Sequence, residues 1–285
     1  MIPDKNASFA SREIPEIVIR PPHGWVLLDL SDLWQYRELL FFLSWRDIKV
    51  RYKQTILGIA WALLQPLLTM FLFSLIFGKL AGLPSEGVPY PVFTYTALLP
   101  WQLFAYALTM SSTSLVTDQS LITKVYFPRL VIPISSVIAG LLDFGLSLLV
   151  LLTMLVLYRI PLTARLLMLP LLVLLALLSA IAVGLWLAAL NVQYRDVRYT
   201  LPFLTQFWMY ATPIAYSITL IPERWRIIYS LNPMVGVVEG FRWAILGSSY
   251  SVGPVILVSS AVVLALLLGG LVYFKRMEDS FADVI

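Results

Sequence analysis

TDQSLITKVYFPRLVIP, residues Thr117–Pro133, is a short polar piece set between two long apolar runs. It has room for about two turns of helix before the aromatic pair Tyr126 and Phe127 and the step Pro128–Arg129. Thr117 or Asp118 can cap a short helix running through about Val125. Pro128 disfavours helical geometry at Phe127 and ends it. The expected product is a small helix with a rigid exit into the next apolar run. Two roles fit it: an element that passes force from a soluble partner to the apolar helices, or a plain surface loop.

The apolar runs on either side set the class. The chain has 285 residues, 60% hydrophobic and only 13% charged, about half the charged share of a soluble domain. Mean hydropathy is +0.85. Runs of about 20 apolar residues recur, the length that crosses a bilayer core, so the chain is read as an integral membrane protein. Six spans are predicted, at Ile56–Phe77, Val92–Val116, Val131–Tyr158, Leu166–Val192, Leu201–Leu220 and Val252–Phe274. Six crossings put both termini on one side. If that side is cytoplasmic, the inner segments hold Lys5, Arg12, Arg20, Arg37, Arg46, Lys49, Arg51, Lys53, Lys124, Arg129, Arg195, Arg198, Lys275 and Arg276. The outer loops then hold only Lys79, Arg159, Arg165, Arg224, Arg226 and Arg242. The positive-inside bias predicts cytoplasmic termini and places Thr117–Pro133 in the cytoplasm. The same topology accounts for the net charge of +4 without a nucleic-acid partner. The N-terminal segment lacks the basic start and short apolar core of a signal peptide and is expected to remain in the mature protein. No internal repeat divides the apolar part.

Several functions are excluded. There is no cysteine and one histidine, His23, which rules out thiolate chemistry and His- or Cys-rich metal sites. No G-x-x-x-x-G-K-[ST] occurs, so the chain carries no P-loop of its own. No triad or paired-acid pattern points to catalysis.

A few polar and aromatic residues remain as candidates. DLWQYRELLFFLSWRDIKVRYKQT precedes the first span. Asp32 with Gln35 resembles a capping box, and the stripe Tyr36, Leu39, Leu43, Val50 is imperfectly amphipathic, as for a helix at headgroup level. A mere topology anchor would look the same. Asp143 falls near the middle of span three, where an ionised carboxylate costs roughly 3 kcal/mol. Ser147 is a possible local partner, and the residue reads either as a lumen or proton site or as an interhelical hydrogen bond. MVGVVEGFRWAIL (Met234–Leu246) is about half a span long, started by Pro233, and reads as re-entrant or interfacial. Its Glu239 and Arg242 either form an outer gate or neutralise one another. Phe203, Phe207 and Tyr210 recur at i, i+4 and i+7 beside Trp208. They offer a surface for stacking on sugar rings, or a packing face.

Four blocks taken together resemble the permease subunits of ABC-2 type polysaccharide exporters, which move O-antigen, capsular and teichoic acid polymers. They are WRDIKVRYKQTILGIAWALLQP (Trp45–Pro66), LITKVYFPRLVIP (Leu121–Pro133), NVQYRDVRYTLPFLTQFWMYATPIAY (Asn191–Tyr216) and NPMVGVVEGFRWAILG (Asn232–Gly247). The resemblance implies an all-α, six-span bundle with an N-terminal amphipathic interface helix and re-entrant outer gate helices between spans five and six. It implies a cytoplasmic tail at residues 1–30, the interface helix at 31–55, the permease domain at 56–274 and a cytoplasmic tail at 275–285. It further implies a homodimer in a bacterial inner membrane, joined by two copies of a separate ATPase subunit that binds ATP and magnesium, this chain holding no cofactor. Asp118, Gln119, Ser120, Leu121, Ile122, Thr123, Lys124 and Val125 would form the coupling helix docking on that ATPase, with Tyr126, Phe127, Pro128 and Arg129 as its exit. Glu38, Arg46 and Asp47 would lie near the ATPase. Phe203, Phe207, Trp208, Tyr210 and Asp143 would be channel candidates, and Glu239 and Arg242 part of the outer gate. The cargo implied is a lipid-linked polysaccharide, foremost O-antigen, with teichoic acid or capsule as alternatives. A proton-coupled transporter using Asp143 and a membrane transferase are the competing classes.

Overall fold

The computed structural model describes residues 30–53, 56–247 and 251–284. Every regular element among them is a helix. The α-helices are α1 (Leu30–Gln35), α2 (Arg37–Tyr52), α3 (Ile56–Phe73), α4 (Tyr90–Thr117), α5 (Gln119–Lys124), α6 (Val131–Ala139), α7 (Leu141–Leu157), α8 (Leu169–Gln193), α9 (Val197–Tyr210), α10 (Glu223–Tyr229), α11 (Pro233–Leu246) and α12 (Gly253–Val284). The expected tail before Leu30, with Lys5, Arg12, Arg20 and His23, lies outside the described residues. So do Gln54 and Thr55.

Among the described residues four stretches are long and apolar enough to cross a membrane: Ala60–Leu80, Val131–Leu157, Ala164–Gln193 and Gly253–Glu278. They present large apolar side chains outward, such as Trp61, Phe71, Leu149, Val156, Leu171 and Leu257. Lipid is the medium that such a surface suits.

Helix α4 is the hub. It packs against α3, α6, α7, α8, α9 and α11, and most of its length from Val92 to Leu115 is buried. Its 28 residues span about 42 Å, yet Thr96, Thr109, Ser112 and Thr113 make it too polar to pass as a lipid-facing helix. Each of those hydroxyls donates to the carbonyl four residues back, at 2.6 to 3.0 Å, so none is stranded in the apolar interior. Close approach secures the α4–α8 pair. A Cβ on Gly184 would lie 2.6 Å from Ser111 Oγ, the small-residue contact that lets membrane helices meet. Asn191 of α8 donates to the Ser112 carbonyl at 3.0 Å.

The helix boundaries correct several sequence expectations. Leu30 is already helical, so Asp32 lies inside α1 rather than capping it, and the interface helix is broken at Tyr36 (φ −91°, ψ 18°). The third apolar run is divided at Gly140 into α6 and α7. The chain needs glycine there because a Cβ would sit 2.7 Å from the Tyr106 ring. The fifth run does not reach Leu220: α9 has 14 residues, about 21 Å long. Pro213 disfavours helix at Thr212, and residues 211–217 form a non-helical strap. The segment beyond Phe274, expected as a tail, continues α12 as helix to Val284.

Two apolar clusters stack along the bundle. The larger surrounds α4, α7, α8 and α11. The second joins α2, α5, α6, α8 and α12 through Leu43, Ile122, Phe127, Ile132, Phe274 and Phe281. That cluster marks one end of the molecule; α10, α11 and the strap mark the other.

Candidate functional site

At the α5 end the polar segment is held on both sides. Asp118 occupies the N-cap position of α5, but no side-chain cap forms. Its carboxylate instead accepts from Arg46 at 2.8 Å, and Arg46 also pairs with Asp47 at 2.8 Å. The hydrogen bond to Asp118 holds the Arg46 guanidinium above its ordinary pKa, against the opposing effect of partial burial, with Asp47 adding to the rise. The expected cap is thus replaced by a strut between α5 and α2. The helix ends at Lys124, since Val125 is already extended (φ −132°, ψ 136°). Arg129 closes that end by donating to the carbonyls of Ile122 (2.7 Å) and Val125 (3.3 Å). Ile122 and Phe127 point inward, whereas Gln119, Ser120, Thr123, Lys124, Val125 and Tyr126 are exposed; Leu121, Pro128 and Arg129 lie between. Glu38, in the first turn of α2, is exposed as well. On the same helix Phe41, Phe42 and Trp45 are exposed while Leu43 is buried, as suits a helix with an apolar outer face.

Asp143 is not paired with Ser147. It sits in the first turn of α7, just past the Gly140 break, where it meets Arg51 at 2.6 Å and accepts from the Tyr52 hydroxyl. The Ser147 carbonyl instead takes a hydrogen bond from Tyr95 at 3.3 Å. Arg51 also stacks on Tyr106, 4.4 Å from its ring centre. These groups close one end of a cavity of about 450 Å³ between α3, α4, α7 and α9, into which Gln65, Thr69, Gln102, Thr109, Thr205 and Gln206 face. The glutamines carry no charge and form no periodic stripe, so they do not stand out within the apolar runs of the sequence. A lone amide in such a run was the available signal, since amides are costly in lipid and need a polar surrounding.

The aromatic stripe of α9 points elsewhere. Phe203, Phe207 and Tyr210 are 71%, 65% and 52% exposed; none of the three lines that cavity, and Phe207 borders the groove on the other side of α9. Trp208 does not join them: its indole N–H donates to Asn232 Oδ1 at 2.8 Å, and its ring meets Phe104 edge-on at 5.1 Å. The far side of α9 borders an apolar groove of about 770 Å³ lined by Leu108, Leu187, Leu204, Trp208 and Trp225. So α9 separates an amide-rich cavity from an apolar groove.

At the opposite end Glu239 and Arg242 are both buried and 2.9 Å apart. Asn232 caps α11 by accepting from the Met234 N–H, and Pro233 opens the helix. Arg242 reaches past Glu239 to the carbonyls of Ile214 (2.8 Å) and Tyr216 (3.1 Å), its guanidinium lying over the Phe93 ring at 3.8 Å. Tyr90 donates to the Ala215 carbonyl, Tyr229 and Asn232 to that of Ala211, and Ser217 to Glu86. The strap is therefore laced to α4, α10 and α11. Among the described residues no three His, Asp or Glu side chains lie close enough to share a metal ion.

Residues 38–246 match the ABC-2 type transporter family. The chain belongs to that family. It is 30% identical over 259 residues to the O-antigen export system permease protein RfbA of Myxococcus xanthus, covering 90% of this chain and 98% of that protein. It is 29% identical over 250 residues to a protein of the same name from Klebsiella pneumoniae, covering 87% and 95%. With the polysialic acid transport protein KpsM of Escherichia coli it shares 26% over 241 residues, covering 82% and 92%. The family match begins in α2 and ends in the last turn of α11, so it takes in α5, the amide-lined cavity and the Glu239–Arg242 pair.

Proposed function

We propose that this chain is the membrane permease of an ATP-driven exporter that moves a lipid-linked polysaccharide, O-antigen, from the cytoplasm to the periplasm. The observation that carries the mechanism is α5. A chain with no P-loop must take its energy from elsewhere, and it presents a polar, exposed knob whose two ends are fixed to the bundle. A separate ATPase, holding ATP and magnesium, docks on Gln119, Ser120, Thr123, Lys124 and Tyr126, and its closure pushes α5 against α2 through Arg46 and Asp118. Two copies of the permease pair with two of the ATPase, and the aromatic face of α9 meets the partner copy or the channel. The glycan passes the amides and hydroxyls of the cavity, which bond sugar hydroxyls without fixing one sugar. α3, α4, α6 with α7, α8, α9 with its strap, and α12 make six crossings, with both termini cytoplasmic. α10 and α11 re-enter from the outer face of the inner membrane. The names of the relatives support the cargo class. The ion pair to Arg51 favours a structural role for Asp143 and weighs against a proton-driven carrier.

The test is deletion of the gene followed by localisation of lipid-linked glycan. Accumulation on the cytoplasmic side with loss of surface polymer is expected. If the trapped polymer is capsule or teichoic acid, the machine stands and the cargo changes. Unaltered glycan, or loss of its synthesis, would overturn the reading.

A further inference from the structure

The two ends of α5 are fixed to different helices. Its start is tied to α2 by Arg46 and Asp118; its end is tied to the last turns of α12. Glu278 accepts the backbone N–H of Arg129 at 3.1 Å through one carboxylate oxygen and holds Lys275 at 2.5 Å through the other. Arg129, fixed in this way, caps α5 with its guanidinium. One turn past Glu278, Phe281 is fully buried, edge-on to Phe274 at 5.2 Å and in the same cluster as Ile122 and Phe127. These contacts account for α12 continuing as helix past Phe274 rather than fraying. Phe274 and Phe281 are seven residues apart, on one face, and Glu278 lies one turn from each. The end of α12 also lies beyond the residues that match the family.

We propose that the final turns of α12, Lys275 to Phe281, are a strut that holds the α5 handle in place, and that Glu278 is its positioning residue. A push on α5 is thereby shared between α2 and α12, so that the membrane part of α12 moves with the handle. The role in export rests on α5 being the docking site of the ATPase; the strut itself does not.

The chain has no cysteine, so Thr123→Cys accepts a single spin label on the exposed side of α5. In the full-length permease alone, the label is expected to report an ordered helix. Glu278→Leu removes the acceptor and is expected to raise the mobile population about tenfold, the effect of losing one charge-assisted hydrogen bond. Glu278→Gln keeps an acceptor for the Arg129 N–H and should restore order. Glu278→Ala tests the same bond should leucine prevent accumulation of the protein. In unlabelled cells, polymer export should fall in the leucine or alanine variant and return with glutamine. ATP hydrolysis by the assembled complex should fall less than export. An unchanged label in both Glu278→Leu and Glu278→Ala would overturn the strut. A mobile label with undiminished export would overturn its part in coupling. A wild-type chain that restores no polymer to a deletion strain would sink the export reading and leave the strut to be judged by the label alone.

Discussion

Arg242 offers a test that depends on the structure alone. Its side chain and that of Glu239 are each 1% exposed, so neither charge has water to fall back on. Arg242→Met keeps most of the volume and removes the cation. Glu239 is then a buried carboxylate without its ion partner, and the carbonyls of Ile214 and Tyr216 each lose a donor. Breaking a buried ion pair from one side costs about 3–5 kcal/mol. For a chain of this size that lowers the melting temperature by about 10 °C. In the double variant Glu239→Leu/Arg242→Met the orphan charge is gone. What remains is the loss at two carbonyls, about 2 kcal/mol at roughly one each. The double variant should therefore melt higher than Arg242→Met alone. Thermal unfolding of the purified protein in one detergent, followed by size-exclusion, reads the order. An Arg242→Met protein within about 2 °C of wild type, or a double variant less stable than the single, would refute the account of the strap as a buried, charge-anchored element.

Three further outcomes concern transport. Lys124→Glu and Pro128→Ala, which change the exposed face and the exit of α5, should leave the protein folded and cut export relative to ATP hydrolysis by tenfold or so, about 1.4 kcal/mol of coupling; export at the wild-type rate would remove α5 from the coupling path. Arg46→Ala and Asp118→Asn, which cut a partly exposed pair, should each cost under about 1 kcal/mol of stability yet reduce export together and no more than singly, as a double-mutant cycle for export would show. Gln102→Leu with Gln206→Leu should leave melting unchanged or raised, because amides facing a cavity do not hold the bundle together, and should slow polymer appearance at the surface; unchanged flux would place the glycan's path elsewhere.

The legible features were those with a local cause. Pro233 marks where α11 starts whatever surrounds it, whereas α5 ends at Lys124, before the residue that Pro128 restricts. The i, i+3 spacing of Glu239 and Arg242 made their pairing visible on one strand of text. Contacts that join distant segments were not visible. Asp118 is a good cap by composition, but Arg46, 72 residues away, competes for the same carboxylate and wins with a charge. Asp143 has a serine one turn away and takes Arg51 from another helix instead. Trp208 shares the α9 stripe by sequence neighbourhood yet lies some 100° around the helix from Phe207, which carries it to Asn232. In each case the local partner was real chemistry, outbid by a stronger one that only the fold brings near.

Helix α4 shows what hydropathy measures. It has the length to cross a bilayer and lies at the centre of the bundle, yet its composition keeps it out of the four stretches apolar enough to be spans by themselves. Hydropathy reports what a helix faces. α8 and the first part of α12 are mainly aliphatic and leave side chains such as Leu171, Leu174, Leu257 and Leu264 exposed; α4 faces other helices, where most hydroxyls fold back on their own backbone, Thr94 and Ser111 excepted, and small side chains allow close approach. The same polarity lets α4 serve both ends of the molecule. Near Thr117 it delivers the chain into α5 and the Arg46–Asp118 strut; near Tyr90 and Phe93 it supports the strap and the Arg242 guanidinium. Between them Gln102 and Thr109 face the amide-lined cavity. One helix thus touches the handle, the cavity and the far-end strap, and of its polar residues Tyr90, Gln102 and Thr109 take part in those contacts.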